Sequence, residues 1–188
     1  CFTCSQIRSL SPQTLAMLGP NVFKELAQKK WGCLSAKQIT ALSPDQLQSW
    51  LRAQLQDIPI DQVQALSPTQ LTTISPITLQ KWPQENVQSL LPEQISNLAP
   101  DQIRSLLKHL SPQQFSSLNS SQIANLTQAD AKQIQPAQWQ ALTPTLIAQL
   151  PSETLLGLSK SQWRDLKPEQ IAALTPAQLK SLRGDVLA

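Results

Sequence analysis

The chain has 188 residues, of which 40 % are hydrophobic and 15 are proline, and its net charge is +3 at neutral pH. This length is that of one ordinary domain. The small charge and the scattered basic residues exclude a nucleic-acid footprint, and no apolar run is long enough to span a membrane. The abundance of Gln, Ser and Pro is typical of disordered chains, but the strict register of the hydrophobic residues favours a folded protein.

An eight-residue unit, here called an octad, repeats along the chain. Its pattern is Ser or Thr, Pro, any residue, Gln, a large apolar residue, two small or polar residues and Leu, as in residues 43–50 and 175–182. Thirteen octads fill residues 3–106, four extra residues follow at 107–110, and nine more octads fill residues 111–182. A repeat this short and this regular determines the architecture before any motif is considered.

The first half of the octad predicts the start of a helix. Ser or Thr at position one is a good N-cap, and all 15 prolines lie at position one or two, where Pro suits the first helical turn. Gln at position four, present in 14 of 22 octads, is placed to complete a capping box. Because Pro disfavours a helical conformation in the residue before it, each helix should end where the next octad begins.

The second half of the octad predicts the core. Position eight is Leu in 17 of 22 octads and Ile or Trp in the others, and position five is large and apolar everywhere except at Ala131. These two positions share one helix face, and helices of one or two turns are too short to be stable alone. The octads must therefore stack on one another. The predicted fold is all-α, a superhelical solenoid of about 22 eight-residue short-helix repeats.

The spacing of the large aromatic residues suggests that three octads make one superhelical turn. Phe115, Trp139 and Trp163 occupy position five at intervals of 24 residues. Cys4 and Cys33 belong to octads that are also 24 residues apart, so a Cys4–Cys33 disulfide would join the first turn to the second. The alternative is three free thiols in a reducing compartment, and Cys1 is left over in a disulfide-bonded chain.

We expect one continuous domain over residues 1–188, with disulfide-stapled N-terminal coils at 1–34 and the octad-repeat solenoid at 35–188. Leu106, Leu107 and Leu110 continue one apolar stripe through the insertion, which predicts a single longer helix from about Pro100. Cys1 is an unusual first residue, which suggests a mature form or an excised piece.

No catalytic, cofactor-binding or metal-binding motif is found in the sequence. The single histidine, His109, has no second histidine and no acidic cluster near it. Glycine-rich phosphate loops, nucleophile elbows and Cys/His ligand spacings are also missing. We therefore expect a protein that is not an enzyme and carries no cofactor.

Three surface features remain as candidate sites. Asn119 and Asn125 begin N-glycosylation sequons, and Arg183-Gly184-Asp185 spells an integrin-binding tripeptide, although Gly184 also suits the end of the last helix. The recurrent Gln of position four could line a groove for a polar ligand. Helix capping and amide ladders between coils explain it without a ligand, and we favour that interpretation.

The octads that begin at Leu42 (LSPDQL), Leu66 (LSPTQL) and Leu91 (LPEQI) resemble those of the mesothelin, stereocilin and otoancorin family. The cysteines that bracket the first coils add to this similarity. The resemblance implies an extracellular, superhelical, armadillo-like protein, often membrane-anchored, that links cells to other cells or to extracellular gels. Large bacterial surface and secreted proteins carry similar octads and are an alternative.

The leading hypothesis is a non-enzymatic adhesion or matrix protein, extracellular or at the cell surface, that presents a solenoid surface to protein or glycoprotein partners. The second is a structural subunit of an extracellular filament or gel that associates end to end, because residues 186–188 form no polar cap and one cysteine is spare. The third is an intracellular scaffold, which three free thiols would favour. No nucleic-acid partner and no membrane span in this chain are expected.

Overall fold

A computed structural model of the chain describes residues 2–27, 31–53 and 58–182. About 65 % of the described residues are helical, and these residues contain many short helices and no strand. The structure divides into two compact units, Cys1–Asn97 and Leu98–Ala188.

The first unit contains ten α-helices and one 3₁₀ helix among its described residues. The 3₁₀ helix, Trp31–Cys33, lies between α3 and α4. The α-helices are α1 (Cys4–Ser9), α2 (Pro12–Ala16), α3 (Pro20–Ala27), α4 (Ala36–Thr40), α5 (Pro44–Ala53), α6 (Ile60–Ala65), α7 (Pro68–Thr72), α8 (Pro76–Leu79), α9 (Gln84–Gln88) and α10 (Pro92–Ser96).

The second unit contains ten further helices in its described part, each within one octad. They are α11 (Pro100–Leu106), α12 (Pro112–Ser116), α13 (Ser120–Ala124), α14 (Gln128–Ala131), α15 (Pro136–Ala141), α16 (Pro144–Gln149), α17 (Ser152–Leu155), α18 (Lys160–Asp165), α19 (Pro168–Ala172) and α20 (Pro176–Ser181).

Each helix begins as its octad predicts. In α20, the Thr175 side chain accepts a hydrogen bond from the backbone N–H of Gln178, the Gln178 side chain accepts one from the backbone N–H of Thr175, and Pro176 is the first helical residue. The N-cap backbone is extended, with φ −73° and ψ 156° at Thr175, which ends the preceding helix. Short helices are therefore set by local capping, and the chain turns at every octad boundary that carries these residues.

Where the capping residues are missing, the helix runs on. The octad that follows Trp50 begins with Leu51-Arg52 instead of Ser-Pro, and α5 continues across the boundary to Ala53. Nothing there supplies a cap or excludes the helical conformation. This explains the 10-residue length of α5, which is twice that of α4 or α7.

The core consists of the two predicted positions. At position five, every side chain of known exposure from Ile7 to Leu155 is at most 2 % exposed, and Ala131 at this position is also fully buried. At position eight, the side chains from Leu34 to Leu174 are at most 8 % exposed. Position three, in contrast, is exposed in every octad in which the structure describes its side chain. Most octads thus turn two large side chains inward and their position-three side chain outward.

Within each unit, helices contact helices three octads away. In the first unit the contacting pairs include α2 with α4, α3 with α5, α6 with α9 and α7 with α10. In the second unit they run from α12 with α15 to α17 with α20 without a break. The helices that carry Phe115, Trp139 and Trp163 (α12, α15 and α18) follow this series, so the 24-residue interval inferred from the aromatic residues is the contact interval of the helices.

The four-residue insertion changes this interval locally. The single longer helix predicted from about Pro100 is wrong in its extent: α11 ends at Leu106, and residues 107–109 form a turn in which the Leu110 N–H donates to the Leu106 carbonyl, at 3.1 Å. Leu106, Leu107 and Leu110 are all buried, as the apolar stripe predicts. Because this element is longer than an octad, α11 contacts α13, the second helix after it instead of the third.

Candidate functional site

The position-four glutamine makes the most repeated polar contact in the structure, and Gln170 shows its geometry. Its Oε1 accepts a hydrogen bond from the N-cap backbone N–H of Lys167, at 2.9 Å. Its Nε2 donates to the carbonyls of Trp139 and Leu142, at 2.8 and 2.7 Å. These carbonyls lie at the C-terminal end of α15, where no further helical turn supplies i+4 partners, and the Trp139 carbonyl also accepts from the Leu142 N–H at 3.2 Å. One amide therefore caps both its own helix, α19, and the end of α15, the helix four octads earlier.

The same register recurs in both units. The amide at position four reaches carbonyls 28 and 31 residues earlier in the chain. These lie at positions eight and five of the octad four before its own, except for Gln138, whose acceptors Leu110 and Leu107 belong to the four-residue insertion. The donors with at least one such bond are Gln38, Gln46, Gln62, Gln70 and Gln94 in the first unit and Gln138, Gln162, Gln170 and Gln178 in the second.

Octads without Gln at position four show which property is needed. Asn86 donates to the Ile58 carbonyl at 2.6 Å, and the Thr154 hydroxyl donates to the Leu126 carbonyl, so shorter donors preserve the 28-residue contact. Leu146 cannot donate, and the Leu118 carbonyl in its register receives no side-chain donor from the described residues. Asn86 and Thr154 thus make the same 28-residue contact as the glutamines.

This geometry decides between the two interpretations of the glutamine row. Gln170, Gln138 and Gln178 are at most 2 % exposed, and in each of them both the oxygen and the nitrogen are bonded to backbone groups. A ligand could reach these amides only by breaking the contacts that join the helices. The structural interpretation of the row is confirmed at these positions.

A second set of inter-helix bonds, which was not foreseen from the sequence, runs in the opposite direction. Gln at position six donates forward to a carbonyl 25 residues later, as in Gln48 to Thr73 (2.9 Å), Gln64 to Ser89 (3.2 Å) and Gln140 to Asp165 (2.9 Å). These bonds are exposed to solvent. Their signal in the sequence is weak, because position six varies from octad to octad.

Cys4 and Cys33 form a disulfide, with their Cα atoms 5.1 Å apart. It joins α1 to the 3₁₀ helix, and the Arg8 Nε donates to the Cys33 carbonyl at 3.1 Å beside it. This is the pairing expected from the 24-residue interval. Cys1 lies outside the described residues.

The two sequon asparagines lie at opposite ends of α13, and both are exposed. Asn119 is the N-cap, with its Oδ1 accepting from the Gln122 N–H at 2.9 Å, while the Nδ2 of Asn125 donates to the Ser121 carbonyl at 2.8 Å. Glycosylation at either asparagine remains a prediction. The tripeptide Arg183-Gly184-Asp185 lies outside the described residues.

His109 has no partner suited to catalysis in its surroundings. Partial burial and the charge of the neighbouring Lys108 both lower the pKa of His109, so its imidazole is neutral at pH 7. Among the described residues, no group of three or more His, Cys, Asp and Glu side chains could hold a metal ion.

An unusually close helix contact lies in the second unit, between α14 and α17. A methyl group added at Gly157 would lie 2.3 Å from the Gln128 carbonyl oxygen and 2.8 Å from the Ala131 Cβ. Gly157 and Ala131 are both buried, and their small size permits the approach. Ala131, the single small residue at position five, was the sequence signal for this contact. An open groove beside it is lined by neutral amides and hydroxyls and by apolar side chains such as Leu156 and Leu158, with Lys132 as the one charged side chain in that lining.

No helix in the described part of the chain has the length and apolarity needed to cross a membrane. No model of a protein family matches the sequence, and no curated protein shows significant similarity to it.

Proposed function

We propose that this protein is a non-enzymatic adhesion or matrix protein, located outside the cell or at its surface, which binds protein or glycoprotein partners through the outer surface of an all-helical solenoid of about 22 octads. The observation that carries this proposal is the use of the position-four amides. These amides are the most regular polar side chains in the chain, and their hydrogen bonds join helices of different octads. The exposed positions therefore remain as the surface for a partner.

The solenoid itself is supported by the repeated interval. Helix contacts, position-four bonds and the disulfide all join octads three or four apart within a unit. Repeats that contact only their neighbours produce extended surfaces, which such proteins use for binding. Position three is the most consistently exposed position, so we assign the partner-binding surface to the columns of position-three side chains.

The extracellular location is supported by two observations and by the resemblance to the mesothelin, stereocilin and otoancorin family. A disulfide persists in oxidising compartments, and the Cys4–Cys33 bond is consistent with one. Both sequon asparagines are exposed. The alternative is a structural subunit of an extracellular filament or gel, or a bacterial surface or secreted repeat protein.

The location is tested by a thiol count and an intact mass on protein secreted from eukaryotic cells. We expect one free thiol of the three and an added glycan mass that disappears in an Asn119→Gln, Asn125→Gln double variant. Three free thiols in the native protein would contradict the extracellular assignment and favour an intracellular scaffold.

Adhesion is tested with beads coated with the purified protein and applied to cells, with and without protease treatment of the cell surface. We expect attachment that is lost after protease treatment. The Asp185→Glu variant is the matched control, since it removes only the integrin tripeptide and should leave attachment unchanged. Attachment that depends on Asp185 would assign binding to the tripeptide instead of the solenoid, and turnover of a substrate that a point substitution abolishes would contradict the non-enzymatic assignment.

A further inference from the structure

The two cysteines of the Cys4–Cys33 disulfide differ in their exposure to solvent. Cys4 is the first residue of α1, at position two of its octad, and it is exposed, whereas Cys33 ends the 3₁₀ helix and is 6 % exposed. Exposure at position two is a property of the repeat: Ile60 and Ser120 are also exposed there, although α6 and α13 each contact both an earlier and a later helix. A nucleophile in solution therefore reaches the Cys4 sulfur more readily than the Cys33 sulfur.

A positive charge lies beside the buried cysteine. The Nε of Arg8 donates to the Cys33 carbonyl at 3.1 Å, from position six to position seven of an octad 25 residues later. The neutral donors that make the same contact elsewhere are Gln48, Gln64 and Gln140. When a disulfide opens, one of its sulfurs leaves as a thiolate. The guanidinium of Arg8 stabilises that negative charge if the leaving sulfur belongs to Cys33.

Helix α1 is held in place by contacts that do not involve the disulfide. The Nε2 of Gln38 donates to the carbonyls of Ile7 and Leu10, at 2.7 and 3.0 Å. The Ile7 side chain is 2 % exposed and belongs to the core. Opening the disulfide leaves these contacts intact, so the bond can be exchanged while the first octad stays folded.

We propose that Cys4 is a site of thiol–disulfide exchange, at which this protein becomes covalently linked to a thiol-bearing molecule. The thiolate of that molecule attacks the Cys4 sulfur, opposite the existing S–S bond, and forms a new disulfide with it. The electron pair of the Cys4–Cys33 bond leaves with the Cys33 sulfur, which takes a proton from water. The number of disulfide bonds is unchanged, so the step needs no oxidant.

The reverse assignment conflicts with the same observations. Attack on Cys33 would require the nucleophile to enter a buried position, and the thiolate released at Cys4 would be the one without Arg8 beside it. Burial and charge thus direct the attack to the same sulfur. The inference goes beyond the proposed function, because a protein joined through Cys4 is attached to its partner covalently.

The test exposes the full-length oxidised chain, carrying Cys1→Ser so that only an outside thiol can attack, to 2-mercaptoethanol. Exchange is stopped with acid, free thiols are blocked with a maleimide, and the peptides are mapped by mass spectrometry. We expect mercaptoethanol on Cys4 and maleimide on Cys33, with an unchanged circular dichroism spectrum. The opposite map, equal amounts of both maps, or no mixed disulfide until the spectrum is lost would each overturn the proposal.

Two single-cysteine variants check the same point with a product that cannot close again. In the Cys1→Ser background, Cys33→Ser leaves the Cys4 thiol and Cys4→Ser leaves the Cys33 thiol. With 2-hydroxyethyl disulfide as the reagent, the Cys4 thiol should form its mixed disulfide about tenfold faster or more, because thiol reactivity follows exposure. Equal rates in two folded variants would contradict the assignment of Cys4 as the accessible sulfur.

The role of the charge is tested by Arg8→Gln, which keeps a donor of the kind that Gln48 provides and removes the guanidinium. The rate at which mercaptoethanol, a neutral thiol, opens the disulfide should fall by about two- to fivefold, the effect of one exposed ion pair. Lys81→Gln is the matched control, since it removes an equal charge from an exposed residue of a distant octad and should leave the rate unchanged. An Arg8→Gln variant that reacts like this control would overturn the assignment of Cys33 as the leaving sulfur. No adhesion partner is present, so a negative result leaves the adhesion proposal standing.

Discussion

Replacing Gln170 by Ala tests whether the position-four amides hold the layers together. The substitution removes one acceptor for the Lys167 N–H and two donors to the carbonyls of Trp139 and Leu142, all in a site where Gln170 is 1 % exposed. A protein hydrogen bond contributes about 0.5–1.5 kcal/mol net, so three of them amount to about 1.5–4.5 kcal/mol of unfolding free energy. We expect a loss within this range.

Three further variants assign the loss to its cause. Gln140→Ala removes one exposed inter-layer bond, to the Asp165 carbonyl, and should change the unfolding free energy by no more than about 0.5 kcal/mol. Gln170→Leu keeps a side chain of similar volume but has no donors, as Leu146 does naturally at the same position. Comparing it with Gln170→Ala separates the effect of the lost hydrogen bonds from that of the cavity. Gln170→Glu keeps the acceptor but places a carboxylate against two carbonyls, and it should be more damaging at pH 7 than Ala.

The measurement is urea unfolding followed by circular dichroism, comparing the midpoint and the slope for each variant. A change of midpoint at constant slope reports a change of stability, which matters because repeat proteins can unfold in parts. If Gln170→Ala were no more damaging than Gln140→Ala, the buried amides would contribute little. The position-four amides would then not be needed to hold the helices together.

The same unfolding measurement checks three other features. Gly157→Ala should destabilise the protein by about 1–3 kcal/mol through the clash at the α14–α17 contact, whereas Gly32→Ala, with no atom within 4 Å of the added methyl, should not. Ser43→Ala should lower the free energy of unfolding by about 0.5–2 kcal/mol because it removes an N-cap. Leu142→Ala should lower it by about 2–5 kcal/mol because it leaves a cavity in the core. Equal effects of the two substitutions would contradict the assignment of position eight to the core. Deleting the octad 143–150 should lower the melting temperature less than deleting four residues within it, because only the shorter deletion moves core residues off the buried face; equal losses would contradict the octad as the structural unit.

Local features of the fold could be read from the sequence because they depend on neighbouring residues. The Ser or Thr cap, the Pro after it and the Gln at the third helical position act within one turn, so α20 forms where and how its octad predicts. The core followed from the i,i+3 spacing of positions five and eight. The contact interval followed from one long-range marker, the aromatic series at Phe115, Trp139 and Trp163, and the pairing of Cys4 with Cys33 was predicted from that interval.

The second role of the position-four amide could not be derived in the same way. Gln170 was placed correctly as a cap for its own helix, but its donors reach Trp139 and Leu142 across 31 and 28 residues. Which carbonyls lie below it depends on how far each layer is rotated, and no residue within one octad encodes that rotation. The row at position six depends on the same rotation, which is why Gln140 and its acceptor Asp165 were not paired in advance.

The insertion shows how one departure from the repeat accounts for another. Gln122 donates to the Leu98 carbonyl, 24 residues earlier, at the boundary just before α11, whereas Gln138 donates to Leu110, 28 residues earlier, just after it. The octad between these two glutamines therefore has no helix end left to cap, because α11 and its turn run straight through that place. Its position-four residue is Asp130, a carboxylate that accepts from the Thr127 N–H and hydroxyl and has no proton to donate. The donor disappears from the repeat at the octad in which the added helical turn removes its acceptor.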